Sequence, residues 1–291
     1  MTRFRDYLKG KRFSAATIQI YSYFVKDFLG FLDIKSPAGI KNRDVEHYVE
    51  QVFVPRGYGI STHRQFIGAI KHFSACFDEC CIDEPSLHYP KKDRKLPLVL
   101  SEDEIVRIIL ATRNLKHRAI ISLLYAAGLR LGELLNLQLC DIDSDRKQLF
   151  IRCGKGRKDR YVILAESYLP LLRNYLATYR PQTWLVEGRP GQRYSASSVR
   201  SILHRSCRMA GINKDVTPHT LRHSFATHLP EQGVDIRYIQ ELPGHSRPET
   251  TMIYTHVKRQ DLIRLKSPLD HLAEKMQKAL DKEQEKLRLS R

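Results

Sequence analysis

Apolar residues recur at helical spacing through the first part of the chain. Ser14 precedes a long amphipathic run, which predicts a helix capped by its side chain. A second helix is predicted from Asn42 through Phe53, and a third opens at Ser61 with Ile67, Ile70, Phe73 and Phe77 on one face. These patterns predict an all-helical domain over residues 1–82.

The apolar periodicity stops in the segment 83–98, which predicts an extended linker. Three prolines interrupt it, and proline cannot donate a backbone hydrogen bond. Four cations lie between the second and third prolines: Lys91, Lys92, Arg94 and Lys95. Such a cluster favours contact with a phosphate backbone, although a solvated linker would have the same composition.

A second, larger domain is predicted over residues 99–270, mainly α with a small β-hairpin. Ser101 and Glu104 form a capping box, and further helices are predicted near 102–112, 116–127, 166–179 and 195–210. Residues 147–153 and 160–164 alternate as strands do, and the sequence GKGRKDR lies between them. Leu272, Met276 and Leu280 then form a short apolar stripe in a terminal helix, 271–291. This stripe would pack on its own domain or on a neighbouring subunit.

Residues 217–256 combine helix starts with an unusual set of polar side chains. Thr217 followed by Pro218 is a helix start, which places His219 and Arg222 on one face of the helix. Gly233 would end that helix, a short second helix would end at Gly244, and a third would carry Tyr254, with His245 at the bend. The predicted geometry lets these side chains converge on one point.

These residue types suit a phosphodiester substrate. A guanidinium binds two phosphate oxygens through its planar fork, an imidazole exchanges protons near neutral pH, and an activated phenol can attack phosphorus. Arg130 lies in the stretch AAGLRLGELLNL and is costly to bury without a partner or an anion. Glu133 is the obvious internal partner, so a purely structural ion pair is the competing interpretation.

Charge and composition narrow the class of partner. The 291 residues include 49 Lys and Arg against 32 Asp and Glu, a net charge of +17, which favours a polyanion such as DNA. The charged N-terminal sequence and the lack of a long apolar run predict a cytoplasmic protein without a membrane partner. The six cysteines lack the spacing of a zinc site, and no metal or other cofactor is expected.

The motifs GLR-x-x-E-L, GKG, HTLRH and GH, followed by Tyr254, resemble those of the tyrosine recombinases, with Xer-like or integron-integrase-like character. The resemblance implies a two-domain DNA clamp with a helical, SAM-like core-binding domain before the catalytic domain. It implies a catalytic set that Glu133 supports: Arg130, Lys155, His219, Arg222, His245 and Tyr254. It also implies cutting and rejoining of DNA through a 3′-phosphotyrosyl intermediate, without metal or ATP.

The family resemblance further implies double-stranded DNA sites held by a homotetramer, alone or with a related recombinase. In the cell, the enzyme would be cytoplasmic and associated with the nucleoid. Cationic side chains outside the catalytic set are candidates for DNA contacts: Arg56, His63, Arg64, Lys71, Lys91, Lys92, Arg94, Lys95, Arg157 and Lys158. Metal-dependent phosphodiesterase and topoisomerase activities are competing interpretations.

Two prolines depart from the family pattern. Pro230 and Pro243 stand where the family usually has leucine, and Pro230 falls inside the helix that begins at Pro218. A proline inside a helix destabilises the helix by about 3 kcal/mol, and the cost is smaller near a helix end. A DNA-binding relative with weakened or lost catalysis is therefore a further alternative.

Overall fold

The computed structural model describes the chain over residues 1–34, 36–91, 96–152, 159–231 and 266–289, with side chains up to residue 278. It divides into two compact units, Met1–Lys95 and Leu96–Arg291. Each unit has its own hydrophobic core. The predicted architecture, mainly helical with one small sheet, is confirmed.

The first unit is built from helices around an aromatic core. Its α-helices are α1 (Thr2–Gly10), α2 (Ala15–Phe31), α3 (Asn42–Tyr48) and α4 (Ile60–Ser74). Ser14 caps α2 as predicted, because its hydroxyl accepts a bond from the amide of Thr17 at 3.1 Å. The third predicted helix begins one residue early, after Gly59, so Ser61 lies inside it.

The predicted second helix changes its winding halfway. After α3, Val49–Phe53 forms a π-helix, which hydropathy alone does not reveal. Tyr48 and Phe53 are both buried and pack against Phe66, with ring centroids 5.0 Å from it in each case. The wider turn therefore lies where two large rings face the same core.

The first half of the predicted linker is attached to α4. The guanidinium of Arg64 donates to the carbonyl of Pro90 at 2.7 Å, and the ammonium of Lys71 donates to the carbonyl of Glu84 at 2.8 Å. Both cations also lie over the ring of Tyr89, at 4.8 and 5.2 Å from its centroid. Two residues predicted to contact DNA thus hold the chain as it leaves the first unit.

Within the described residues, the second unit contains seven α-helices and one small sheet. Its α-helices are α5 (Glu102–Ala111), α6 (Leu115–Ala126), α7 (Leu131–Leu135), α8 (Leu169–Tyr179), α9 (Ala196–Met209), α10 (Pro218–Glu231) and α11 (Pro268–Leu289). Short 3₁₀ helices span Leu139–Asp141 and Glu166–Tyr168. The capping box of Ser101 and Glu104 is confirmed at the start of α5.

The sheet has three antiparallel strands, β1 (Ile142–Asp143), β2 (Gln148–Ile151) and β3 (Arg160–Ile163). The hairpin of β2 and β3 was predicted, and their register pairs Ile151 with Arg160. The short β1 was not predicted, since two residues are too few to show alternation. Arg160 therefore lies where β3 emerges from the GKGRKDR segment.

The beginning of α11 packs on its own unit. Leu272 is buried in the core of that unit, and the hydroxyl of Ser267 donates to the carbonyl of Ala126 at 2.6 Å. Asp270 accepts from the amide of Ser167 at 2.7 Å. The apolar stripe thus packs intramolecularly at its start, while the side chain of Leu280 lies outside the described residues.

Glu187 organises the loop between α8 and α9. Its carboxylate accepts bonds from the backbone amides of Gln182, Thr183, Trp184 and Gly191 at 2.8 to 3.1 Å. Burial disfavours the ionised form, but these bonds outweigh burial and lower the pKa of Glu187 to about 2. The ionised carboxylate therefore holds the loop together.

Replacing Glu187 by glutamine should destabilise the protein at neutral pH by about 2 kcal/mol, because an amide group would face backbone donors. A lowered pKa stabilises the fold above the unfolded value of about 4.3, and this stabilisation is lost as pH falls toward the folded value. Thermal unfolding from pH 7 to pH 2 should show the difference between wild type and E187Q shrinking below about pH 4.5.

Glu166→Gln is the matched control, because the side chain of Glu166 is 69% exposed and makes one surface ion pair. E166Q should unfold like wild type throughout. A difference for E187Q that stayed constant down to pH 2 would contradict the role assigned to its charge.

Candidate active site

The loop before α7 requires glycine. Gly128 has a φ of +56°, a left-handed conformation, and a Cβ atom there would overlap the ring of Phe225 from α10. Its carbonyl accepts a hydrogen bond from Nη1 of Arg222, also in α10. Gly128 thus lets the loop approach α10 closely and delivers Arg130 to the start of α7.

Glu133 lies at the centre of three arginines. Its Oε1 atom accepts from Nη1 of Arg130 at 2.7 Å, and its Oε2 accepts from the backbone amide of Arg130 at 2.9 Å. Nη1 and Nη2 of Arg160 donate to the two oxygens at 2.9 and 2.8 Å. Nη1 of Arg222 is 3.9 Å from Oε2. The Arg130–Glu133 pair considered from sequence is therefore real, and it is part of a larger cluster.

Arg222 is buried in this cluster. Its side chain is only 5% exposed. Among the residues that the structure describes, its Nη2 atom has no hydrogen-bond partner. The three arginines carry three positive charges and Glu133 carries one negative charge, so the cluster has a net charge of +2. A buried cationic group of this kind calls for an anion.

The electrostatics follow from burial and charge together. Burial disfavours the ionised form of Glu133, but hydrogen bonds from Arg160 and Arg130 outweigh it and lower its pKa to about 2. Burial and the neighbouring charge of Arg130 lower the pKa of Arg222 to about 10. Both groups remain ionised at neutral pH, so the cluster keeps its positive charge.

Not every predicted catalytic residue falls within the described part of the chain. His219 lies in the first turn of α10 with an exposed side chain, after Thr217, whose hydroxyl accepts from the amide of Thr220 at 3.2 Å. Lys155, His245 and Tyr254 lie outside the described residues, as does Pro243. The structure thus brings together Arg130, Glu133 and Arg222, and it presents His219 on the same helix as Arg222.

Sequence reasoning missed two features of the second unit. The sequence pattern marks Arg160 only as the start of a strand, although Arg160 is the bidentate partner of Glu133. The exposed side chains of Arg200, His204 and Arg208 lie four residues apart along α9. They line a cavity of about 420 Å³ together with Thr217 and Pro218 at the start of α10. The spacing of four residues in the sequence could have predicted this basic face, because residues four apart lie on the same side of a helix.

The predicted DNA contacts in the first unit have varied surroundings. Arg56 is half exposed and lies 3.3 Å from the carboxylate of Asp27. His63 packs beside Phe53, and burial lowers the pKa of its imidazole. Lys91 is exposed, whereas Arg64 and Lys71 bind the chain near Tyr89. Lys92, Arg94, Lys95, Arg157 and Lys158 lie outside the described residues.

No cluster of metal-ligating side chains occurs within the described ranges. Five free cysteines lie there: Cys76, Cys80, Cys81, Cys140 and Cys207. None of the helices in those ranges is long and apolar enough to cross a bilayer.

Two family models match the chain. Residues 99–261 match the phage integrase family, and residues 1–79 match the phage integrase N-terminal SAM-like domain. An integrase/recombinase from Escherichia coli is 35% identical, over 94% of this chain and 93% of the relative. Tyrosine recombinase XerA from Pyrococcus horikoshii is 36% identical, over 90% of each chain.

The fold is also that of solved recombinases. A lambda integrase tetramer bound to a Holliday junction superposes with a TM-score of 0.67 at 15% identity, over 88% of this chain and 79% of the other. At 15% identity this similarity shows a shared fold, whereas the family models and the relatives at 35 to 36% identity show membership of the family. The chain belongs to the phage integrase family and is a tyrosine-type site-specific DNA recombinase.

Proposed function

We propose that the protein cuts and rejoins DNA strands at specific sites through a covalent link to Tyr254. The phenolic oxygen forms a bond to the scissile phosphorus while the bond from phosphorus to the 5′-oxygen breaks. His219 assists removal of the phenol proton, and Lys155 donates a proton to the leaving 5′-oxygen. Religation reverses these steps, so the phosphotyrosyl bond conserves the energy and no ATP is required.

The observation that carries this proposal is the Nη2 atom of Arg222, which has no partner among the described residues and lies inside a cluster of net charge +2. Arg130 and Arg222 share Glu133 and are held in place before any substrate arrives. Preorganised donors of this kind stabilise the charge that develops on the non-bridging oxygens in the transition state. In the proposed site, His245 adds a further donor.

DNA is the proposed partner because the protein is positively charged and belongs to the phage integrase family. The net charge of +17 and the basic face of α9 beside α10 suit a phosphate backbone. A solved lambda integrase of the same fold is a tetramer bound to a Holliday junction, and we extend that assembly to this chain as a homotetramer on two sites. We place the enzyme in the cytoplasm with nucleoid DNA.

The direct test uses DNA duplexes that carry candidate core sites and a nick beside the scissile phosphate. Loss of the short 5′-hydroxyl fragment then traps the covalent product. We expect an SDS-resistant protein–DNA adduct that forms at the same rate with and without EDTA, because the proposed chemistry requires no metal. The readout is gel mobility under denaturing conditions, followed by mapping of the modified peptide.

The competing activities would give different results. Phosphodiester hydrolysis that EDTA abolishes, without an adduct, would support a metal-dependent phosphodiesterase instead. Relaxation of supercoiled DNA that carries no paired sites would support a topoisomerase. An adduct at one site together with strand exchange between two sites would support recombination.

A recombinase homologue with attenuated chemistry is the second candidate, and the two departures from the family pattern, Pro230 and Pro243, favour it together. The structure places the exposed Pro230 inside α10, eight residues after Arg222. Proline at 230 lacks the amide that would bond to the carbonyl of Ala226. Pro230→Leu should raise stability by about 1 to 3 kcal/mol, or several degrees in melting temperature, with little change in cleavage.

Pro243→Leu should instead mainly raise the cleavage rate, because Pro243 precedes His245 by two residues in the sequence. Melting curves and single-turnover cleavage of both variants would separate the two effects. If neither reversion changed stability or rate, the prolines would be neutral and the attenuated alternative would lose its basis.

A further inference from the structure

Arg160 engages Glu133 more completely than any other side chain in the cluster. Its two terminal nitrogens donate to the two carboxylate oxygens at 2.9 and 2.8 Å, and its side chain is 15% exposed. The residues are 27 positions apart, so this pair joins the first residue of β3 to helix α7. Such fork-to-fork pairing fixes the plane of the carboxylate as well as its position.

The orientation of Glu133 matters because the same two oxygens hold Arg130. One accepts from its guanidinium and the other from its backbone amide. Oε2 also lies within 3.9 Å of Arg222. If the carboxylate rotated, it would lose at least one bond to Arg130 and shift its charge relative to Arg222.

Arg160 is poorly placed to bind substrate itself. Both of its terminal nitrogens are used on Glu133, and its Nε atom is buried without a partner among the described residues. Arg222, by contrast, donates from Nη1 to the carbonyl of Gly128, and its second terminal nitrogen, Nη2, has no partner among the described residues. The side chain of Arg130 bonds Glu133 through Nη1 and is 21% exposed, so it is accessible to an anion. The geometry therefore separates a residue that supports the cluster from the residues that would bind phosphate.

We propose that Arg160 is a positioning residue for DNA cleavage: it holds Glu133 in the orientation that aims Arg130 and Arg222 at the scissile phosphate. This inference rests on the proposed function. It assigns Arg160 a role distinct from the six residues of the proposed catalytic set. It also predicts a requirement for arginine there, because a lysine ammonium cannot engage both oxygens through a planar fork.

The test compares wild type, R160M, R160K, E133Q and the double variant R160M/E133Q in single-turnover cleavage of nicked DNA. We expect R160M to retain DNA binding but to cleave DNA roughly 10- to 100-fold more slowly. Losses of this size follow when a functional group loses its supporting partner or is slightly displaced. Compared with R160M, R160K should regain more of the folding stability than of the cleavage rate. The double variant should cleave about as slowly as E133Q alone, because Arg160 acts through Glu133.

Arg152→Met is the matched control, because Arg152 forms the corresponding ion pair at the end of β2, with Asp141 at 2.7 Å. R152M should keep the cleavage rate within about threefold after correction for the folded fraction. A substrate with a 5′-thio leaving group, which needs no proton donor, should not rescue R160M. Rescue would mean that Arg160 serves leaving-group protonation, and the inference would fall.

Other outcomes are equally decisive. If the effects of R160M and E133Q multiplied, or if R152M lost as much rate as R160M, Arg160 would merely stabilise the hairpin. A wild-type protein that formed no adduct would overturn the proposed function and, with it, the catalytic consequence assigned to Arg160. Normal cleavage by both wild type and R160M would overturn only the inference.

Discussion

Replacing Arg222 by alanine should reduce single-turnover DNA cleavage by about 10² to 10³-fold, because it removes a preorganised donor from the developing charge on phosphorus. Its side chain is 5% exposed, and its Nη2 has no partner among the described residues. A guanidinium in this setting needs no reorganisation when the substrate binds. DNA binding should persist, since many other cations contribute to it.

The control that distinguishes charge stabilisation from proton donation is Lys155→Ala, which removes the proposed proton donor. A 5′-thio leaving group departs without protonation, so it should restore much of the cleavage by K155A and little of that by R222A. Arg222→Lys tests whether the fork or the charge matters, and it should recover only part of the rate. Equal rescue of K155A and R222A by the thio substrate would show that the two roles are wrongly assigned.

Burial of Arg222 raises the question of whether R222A remains folded. Its Nη1 donates to the carbonyl of Gly128, so the substitution also removes a bond between α10 and the loop before α7. Melting curves and DNA retardation should therefore accompany each rate. Loss of cleavage at an unchanged melting temperature would support the catalytic role, whereas loss in proportion to unfolding would count against it.

Replacing Tyr254 by phenylalanine should abolish the covalent adduct altogether, because the ring keeps its shape but loses the attacking oxygen. The variant should still retard DNA that carries the core site. Peptide mapping of the wild-type adduct should locate the DNA on Tyr254. This effect should exceed that of R222A, since no residual pathway forms the same covalent bond without a nucleophile.

Tyr238 provides the comparison for this prediction, because it is the next tyrosine upstream in the same part of the sequence. Tyr238→Phe should form the adduct at the wild-type rate. An adduct that survived in Y254F and disappeared in Y238F would move the nucleophile to Tyr238 and leave the arginine cluster in place.

Local chemistry made much of the framework predictable. Ser14 and Ser101 cap α2 and α5 because a hydroxyl near a free backbone amide is effective whatever the rest of the fold does. Thr217 marks the start of α10 in the same way. Gly128 was predictable as a helix stop, although the need to approach Phe225 closely was not.

Features that depend on packing were less accessible. The π-helix at Val49–Phe53 and the two-residue strand β1 carry no periodic signal of their own. Arg64 and Lys71 look in sequence like free cations, yet both bind backbone carbonyls near Tyr89. Composition cannot distinguish a cation that faces solvent from one that holds the chain.

The sequence by itself determined the family, the helical plan and the identity of the candidate catalytic residues, because ordered motifs and caps depend on neighbours along the chain. Only the tertiary structure decided that Arg130, Arg160 and Arg222 share Glu133, and that part of Arg222 remains free for an anion within the described residues. The contact of Arg222 with Gly128 spans 94 positions. Such contacts arise when the packed core brings distant segments together, and no local pattern encodes which charged partners will meet.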